Sequence, residues 1–78
     1  MLTDIQMKRR LGEILGLEEH GEDADWYAIA SRSSELLQEV PATAPLIVRA
    51  YLVDSDLRRV SRGFAQGQLN ELILYLRS

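Results

Sequence analysis

The chain has 78 residues, of which 46% are hydrophobic, with a formal net charge of −3 and no cysteine. A chain of this length forms a single domain with a small core, and no disulfide or thiolate-bound metal can stabilise it. Basic residues at positions 8–10 argue against a signal peptide, and no apolar run approaches the roughly 20 residues of a membrane span. The sequence therefore predicts one cytoplasmic domain over residues 1–78, held together by apolar packing, with no membrane partner.

The first predicted helix begins at a capping signal. Thr3 is a hydroxyl N-cap candidate and Gln6 follows three residues later, which is the capping-box pattern. Apolar side chains then recur near helical spacing at Ile5, Leu11, Ile14 and Leu15. Gly16 followed by Leu17 is typical of a left-handed helix C-terminus. These signals predict a helix over residues 4–15.

The stretch from Leu17 to Asp25 is the most polar part of the chain. Five of the eight residues from Glu18 to Asp25 are acidic, which favours an exposed loop. His20, the only histidine, lies in this loop without a second metal ligand or a nucleophile nearby in the sequence. We therefore interpret His20 as a solvated loop residue.

A second helix is predicted after this loop. Asp23 or Asp25 can cap its N-terminus, where an acidic side chain also complements the helix dipole. One helical face then carries apolar side chains: Trp26, Ile29, Ala30, Leu36, Leu37 and Val40. Pro41 ends the helix, because the residue before a proline disfavours helical backbone angles.

The segment Pro45–Val53 is apolar at every position except Arg49 and Tyr51. A segment apolar on nearly every side is expected to be buried on nearly every side. A β-strand is the alternative for these β-branched residues. Helix is preferred because no second strand candidate exists to pair with it, and Pro45 suits a first helical turn.

The C-terminal third predicts either one bent helix or two helices. Asp54-Ser55-Asp56 can end the preceding helix and cap the next. Apolar residues then form two sets, the first with Leu57, Val60 and Phe64 and the second with Leu69, Leu72, Ile73 and Leu76. Gly63 and Gly67 lie between the sets, so a split would give pieces of about 56–62 and 66–77. The predicted fold is an all-α, compact bundle of four or five short helices.

No pattern in the chain predicts catalysis. It lacks a phosphate-binding glycine loop after a strand, metal-ligand spacing and a nucleophile elbow. Asp54 and Asp56 stand two residues apart at a helix start, where capping is the expected role. The sequence thus predicts a protein that is not an enzyme and needs no metal or cofactor.

Five residues are candidates for binding a partner: Trp26, Arg58, Arg59, Arg62 and Phe64. Aromatic and arginine side chains are over-represented among residues that dominate binding energy. The arginines give the alternative of a DNA- or RNA-contacting module, which three cations on a net acidic domain make unfavourable. For Trp26 and Phe64 the alternative is a place in the core, and for the arginines a solvated face.

The segment from Leu57 to Gly63, with Gly67 after it, resembles the arginine-and-glycine C-terminal signature of a helix-turn-helix-variant family. That family includes activators and antiactivators of conjugative-element transfer in proteobacteria. Residues 26–37 are similar to the family's preceding helix, but acids replace its usual glycine-centred turn. The resemblance implies an antiactivator-like member that binds a transcriptional activator instead of DNA. We therefore expect a small regulator, monomeric or homodimeric, that binds a larger protein.

Overall fold

A computed structural model describes the backbone of residues 2–78 and the side chains of all of these except Glu22. Within this range the chain forms five α-helices joined by short connections, and no strand. The helices are α1 (Asp4–Glu18), α2 (Trp26–Glu39), α3 (Leu46–Val53), α4 (Ser55–Val60) and α5 (Arg62–Arg77). The prediction of an all-α bundle is confirmed.

Helix α1 begins where the sequence predicts and ends later. The Thr3 hydroxyl accepts from the Gln6 N–H, and the Gln6 side chain accepts from the Thr3 N–H, so the capping box forms. The predicted stop at residue 15 is wrong, because Gly16 continues the helix and Glu18 is buried in its last turn. Among the described glycines, the one with a left-handed backbone is Gly21, at a φ of 64°. Positive φ is strained for residues with a Cβ, which explains a glycine at this turn.

The acidic stretch is therefore only partly a loop. Leu17 and Glu18 belong to α1, and Gly21–Asp23 forms one turn of 3₁₀ helix. His20 is exposed, as expected. Helix α2 follows, and of the two predicted caps it is Asp25 whose carboxylate accepts from the Ala28 N–H, at 3.0 Å. It ends at Glu39, two residues before Pro41.

Helix α3 is helical, as preferred, but it is not buried on every side. Val48, Tyr51 and Leu52 are buried against the neighbouring helices. Leu46 is 81% exposed and Val53 is 59% exposed, so the expectation of burial on nearly every side is wrong. Eight residues make little more than two helical turns, and the face opposite the core has nothing to cover it in the described part of the chain. Pro45 stands at the N-cap, just before the first turn.

The C-terminal third forms two helices, and the break lies at Ser61. The Ser61 hydroxyl accepts from the Phe64 N–H at 3.3 Å and so caps α5. Gly63 and Gly67 lie within α5, not at the break where the sequence placed them. Asp54 separates α3 from α4, but its side chain caps neither helix and accepts from Gln68 Nε2 at 3.0 Å.

A single apolar core joins the helices. Its buried members come from α1, α2, the residue after α2, α3 and α5: Met7, Leu11, Ile14, Ile29, Leu36, Val40, Val48, Tyr51, Leu52 and Leu72. At the edge of this core, the Tyr75 hydroxyl donates to the Asp4 carboxylate at 2.7 Å and ties the end of α5 to the start of α1. Burial, and then Asp4, raise the pKa of Tyr75 to about 12. Hydrogen bonds, first from Tyr75 and then from Lys8, lower the pKa of Asp4.

Candidate functional site

A buried polar cluster lies where the end of α1 meets α3, α4 and α5. We call it the Arg58 cluster, and its members are Glu18, Tyr51, Arg58 and Gln68. The Arg58 side chain is fully buried, and its Nε donates to both Glu18 carboxylate oxygens, at 3.0 and 3.1 Å. Its Nη2 donates to Glu18 at 2.7 Å, and its Nη1 donates to Gln68 Oε1 and to the Tyr51 carbonyl. The charge is therefore paired with Glu18, and each guanidinium nitrogen donates at least one hydrogen bond.

Tyr51 completes the cluster from the side of the apolar core. Its hydroxyl donates to Glu18 at 2.9 Å, and the Arg58 guanidinium carbon lies 3.9 Å from the centre of its ring. Burial raises the pKa of Tyr51, and the adjacent Glu18 carboxylate raises it further. Tyr51 therefore keeps its proton at neutral pH, and its hydroxyl donates a hydrogen bond to Glu18.

This geometry corrects the placement of Arg58. The sequence grouped Arg58 with Arg59 and Arg62 on one surface, but Arg58 is 2% exposed. A partner cannot reach its guanidinium without opening the cluster. The cause is the short helix α4, which turns successive side chains about 100° apart and so directs Arg58 inward and Arg59 outward.

A groove lies directly above this cluster, between the start of α2 and the helices α4 and α5. We call it the aromatic–arginine groove, and its volume is about 910 Å³. Trp26 and Tyr27 line one wall, and Arg59 and Arg62 line the other. Tyr27 is 87% exposed. In the part of the chain that the structure describes, the Arg59 side chain makes no hydrogen bond or ion pair.

The structure thus brings together three of the five predicted partner-binding residues in an accessible position: Trp26, Arg59 and Arg62. Trp26 is partly buried against the core, so it belongs to both the core and the groove wall. Phe64 lies elsewhere, on a second groove between α3 and α5. The grouping of Phe64 with the arginines on one surface is therefore wrong, because α5 turns Phe64 toward α3.

We call this second depression the glycine groove. It has a volume of about 470 Å³, and Leu46, Ala50, Gly63, Phe64, Gly67 and Glu71 are among its lining residues. Other exposed apolar side chains on α3 and α4 are Val53, Leu57 and Val60. The molecule therefore carries two distinct depressions, one aromatic and charged and the other largely apolar.

Two important residues were missed by sequence reasoning. Glu18 reads as one of five loop acids, yet it is the buried partner of Arg58. Tyr27 is next to Trp26, which was a predicted binding residue, and it lies on the polar, solvent-facing side of α2. An aromatic residue on a polar helix face is a detectable signal, whereas the burial of Glu18 depends on a residue 40 positions away.

Among the described residues, no group of three histidine, aspartate or glutamate side chains could hold a metal ion. No described helix is long and apolar enough to cross a membrane. No protein-family model, curated protein or solved structure matches the chain. An assignment of function therefore depends on the geometry of the two grooves.

Proposed function

We propose that the chain is a small, non-enzymatic regulator that binds a larger protein through the aromatic–arginine groove. The observation that carries this proposal is the exposed Tyr27 beside Trp26, facing a wall with Arg59, which has no partner among the described residues. Tyrosine, tryptophan and arginine bury much area and still form hydrogen bonds, so they dominate binding energy where they cluster.

The groove also indicates the chemistry of its occupant. Arg59 offers a planar guanidinium that bonds carboxylates in a bidentate manner. Trp26 and Tyr27 offer ring surfaces for apolar or aromatic side chains. We therefore propose a protein segment that combines an acidic residue with apolar ones. The resemblance around Arg58 and Gly63 suggests a transcriptional activator as the partner, and that suggestion depends on the resemblance alone.

The nucleic-acid alternative loses support with the burial of Arg58. Two arginines remain at the groove, with Asp25 and Asp56 among the same lining residues. Affinity for DNA or RNA depends mainly on neutralising phosphates and falls steeply with salt. We expect no salt-sensitive binding to either nucleic acid in a fluorescence anisotropy titration, and protein binding that persists at high salt.

A bait comparison tests the proposal. The immobilised chain, its Tyr27→Ala/Arg59→Ala variant and an Ile5→Ala control are incubated with extract from cells that express the chain. Ile5 is 72% exposed, at the start of α1 near the far end of α5, so the control truncates an exposed apolar side chain outside the groove. We expect the wild type and the control to capture the same protein and the double variant to lose it.

The captured protein is then purified for calorimetry. Loss of two residues that each contribute more than about 1 kcal/mol should raise Kd about 30-fold or more. Unchanged affinity in the Tyr27→Ala/Arg59→Ala variant would show that the aromatic–arginine groove is not the binding site.

A further inference from the structure

Helix α4 has few contacts of the usual kind to keep it in place. It is six residues long, and isolated helices this short are not stable in water. The Asp54 side chain before it forms no cap, and α4 contributes none of the described side chains of the apolar core or of its partly buried margin. Its two apolar side chains, Leu57 and Val60, are 51% and 79% exposed. Contacts other than core packing must therefore fix the position of α4.

Arg58 provides those contacts. Its guanidinium donates to groups on three other helices, namely the Glu18 carboxylate in α1, the Tyr51 carbonyl in α3 and the Gln68 side chain in α5. The Gln68 amide also donates to Asp54 at 3.0 Å, so the residue before α4 is bound by the same side chain. Hydrogen bonds of a planar guanidinium are directional. Together they fix where α4 lies and how it is rotated about its axis.

This arrangement determines where Arg59 lies. Arg59 follows Arg58 directly, about 100° further around the same helix, and lines the aromatic–arginine groove from there. Glu18 and Arg58 are lining residues of the same groove, and both are buried. The buried ion pair and the exposed groove wall are therefore connected through one short helix.

Stability alone does not require an ion pair at this place. Apolar side chains of similar volume often replace a buried pair at no cost in stability, but their contacts have no preferred direction. We propose that Arg58 is a positioning residue of the aromatic–arginine groove. Through its bonds to three helices it holds α4 in one place and orientation, and so presents Arg59 to the partner. This role deepens the proposed function of the groove and rests on it.

Backbone ¹⁵N relaxation of the full chain tests this role without a partner. In the wild type, the order parameters of α4 should equal those of α5, at about 0.85. The Glu18→Leu/Arg58→Met variant fills the interior but lacks the directional bonds. Its α4 order parameters should fall toward about 0.6, while those of α1, α2 and α5 stay at wild-type values. Arg58→Lys keeps the charge opposite Glu18 without the planar guanidinium, so it should fall between the two.

Leu36→Ala is the matched control for a loss of stability alone. Leu36 is buried in the second half of α2 and lines neither groove. This variant should unfold at lower urea than the wild type but keep the α4 order parameters. Calorimetry with the protein that the wild-type bait captures provides the second readout. Glu18→Leu/Arg58→Met should raise its Kd about tenfold or more, and Leu36→Ala should leave it unchanged.

Wild-type order parameters for α4 in the Glu18→Leu/Arg58→Met variant would overturn the proposal, because apolar contact would then position the helix equally well. So would an unchanged Kd, or an equal loss of order in Leu36→Ala. If the double variant does not fold, Arg58→Lys is judged by the same two readouts. A Tyr27→Ala/Arg59→Ala variant that binds normally would instead refute the proposed function, and the order parameters would still decide whether Arg58 positions α4.

Discussion

Arg58 and Arg59 are neighbours in the sequence, and they belong to opposite kinds of environment. Arg58 is buried in the Arg58 cluster, where each of its three guanidinium nitrogens donates a hydrogen bond, whereas Arg59 lies on the groove wall with no partner in the described chain. Burying a charge is unfavourable unless it is paired and hydrogen-bonded, so the two side chains cannot exchange roles. The difference shows that arginines adjacent in the sequence need not share a surface, because successive side chains on a helix point in different directions.

The comparison predicts its largest effect at Arg58. Arg58→Ala leaves the Glu18 carboxylate buried without its cation, which should lower the free energy of unfolding by about 3–5 kcal/mol. Because domains have only about 5–15 kcal/mol in total, this variant should unfold at low urea or fail to fold.

A Glu18→Leu/Arg58→Met double variant is the control for that prediction. Replacing both charges by apolar side chains of similar size is expected to recover most of the loss, since buried ion pairs are often replaceable in this way. A single Arg58→Ala variant within about 1 kcal/mol of wild type in urea titration would contradict the buried pair.

The apolar core beside the cluster gives the next effect. Leu52 is buried and Val53 is exposed, although they are adjacent in α3. Leu52→Ala should lower the free energy of unfolding by about 2–5 kcal/mol, and Val53→Ala by less than about 1 kcal/mol. Urea titrations of the two variants measure this directly. Equal losses would mean that α3 is not oriented as described.

Tyr51 provides a further test, because its contribution to the free energy of unfolding should depend on pH. Burial and Glu18 raise its pKa above the usual 10.0, so the folded chain resists losing this proton. The stabilisation is complete below pH 10 and is lost as the pH rises from there toward the folded-state pKa, because the unfolded chain ionises first. Tyr51→Phe should lower the free energy of unfolding by about 1.5–3 kcal/mol at neutral pH.

The alkaline part of that prediction is measured in a Tyr75→Phe background, because the pKa of Tyr75 is also raised, to about 12. Stability should fall less steeply above pH 10 when Tyr51 is replaced by phenylalanine than when it is retained. Equal slopes in the two proteins would show that the Tyr51 hydroxyl is not buried against Glu18.

The smallest predicted effect is on Tm, and it concerns a buried hydroxyl that, unlike the groups of the Arg58 cluster, has no partner among the described residues. The Ser33 hydroxyl is buried in α2 and has no hydrogen-bond partner among the described residues. Removing an unsatisfied buried hydroxyl relieves its desolvation cost, and alanine has the higher helix propensity. Ser33→Ala should therefore raise Tm slightly. A clear drop in Tm would show that the hydroxyl has a partner after all.

Local signals predicted most of the fold. Each of these signals involves residues only a few positions apart, so a short stretch of sequence is enough to detect it. Examples are the capping box at Thr3, the cap at Asp25 and the helix end before Pro41. The end of α1 could not be predicted in this way. Gly16 is typical of a helix C-terminus, but α1 extends past it to Glu18. Glu18 pairs in the interior with Arg58, which lies 40 positions later in the sequence.

The candidate site was predicted only in part for the same reason. Trp26, Arg59 and Arg62 meet in one groove, which their residue types suggested. Arg58 is buried because α4 turns it inward while it turns Arg59 outward, and Phe64 lines the other groove because α5 turns it toward α3. Sequence spacing gives the faces of a helix, but which face is covered depends on how the helices pack.

Hydrogen exchange at the arginine side chains tests the split between Arg58 and Arg59 most directly. The Arg58 Nε–H donates to both Glu18 oxygens inside the protein, whereas that of Arg59 faces the open groove. In ¹H–¹⁵N spectra at neutral pH, the Arg58 Nε–H should exchange with water much more slowly than that of Arg59. Equally fast exchange at both side chains would contradict the buried pair, and with it the assignment of Arg58 to the fold and Arg59 to the partner.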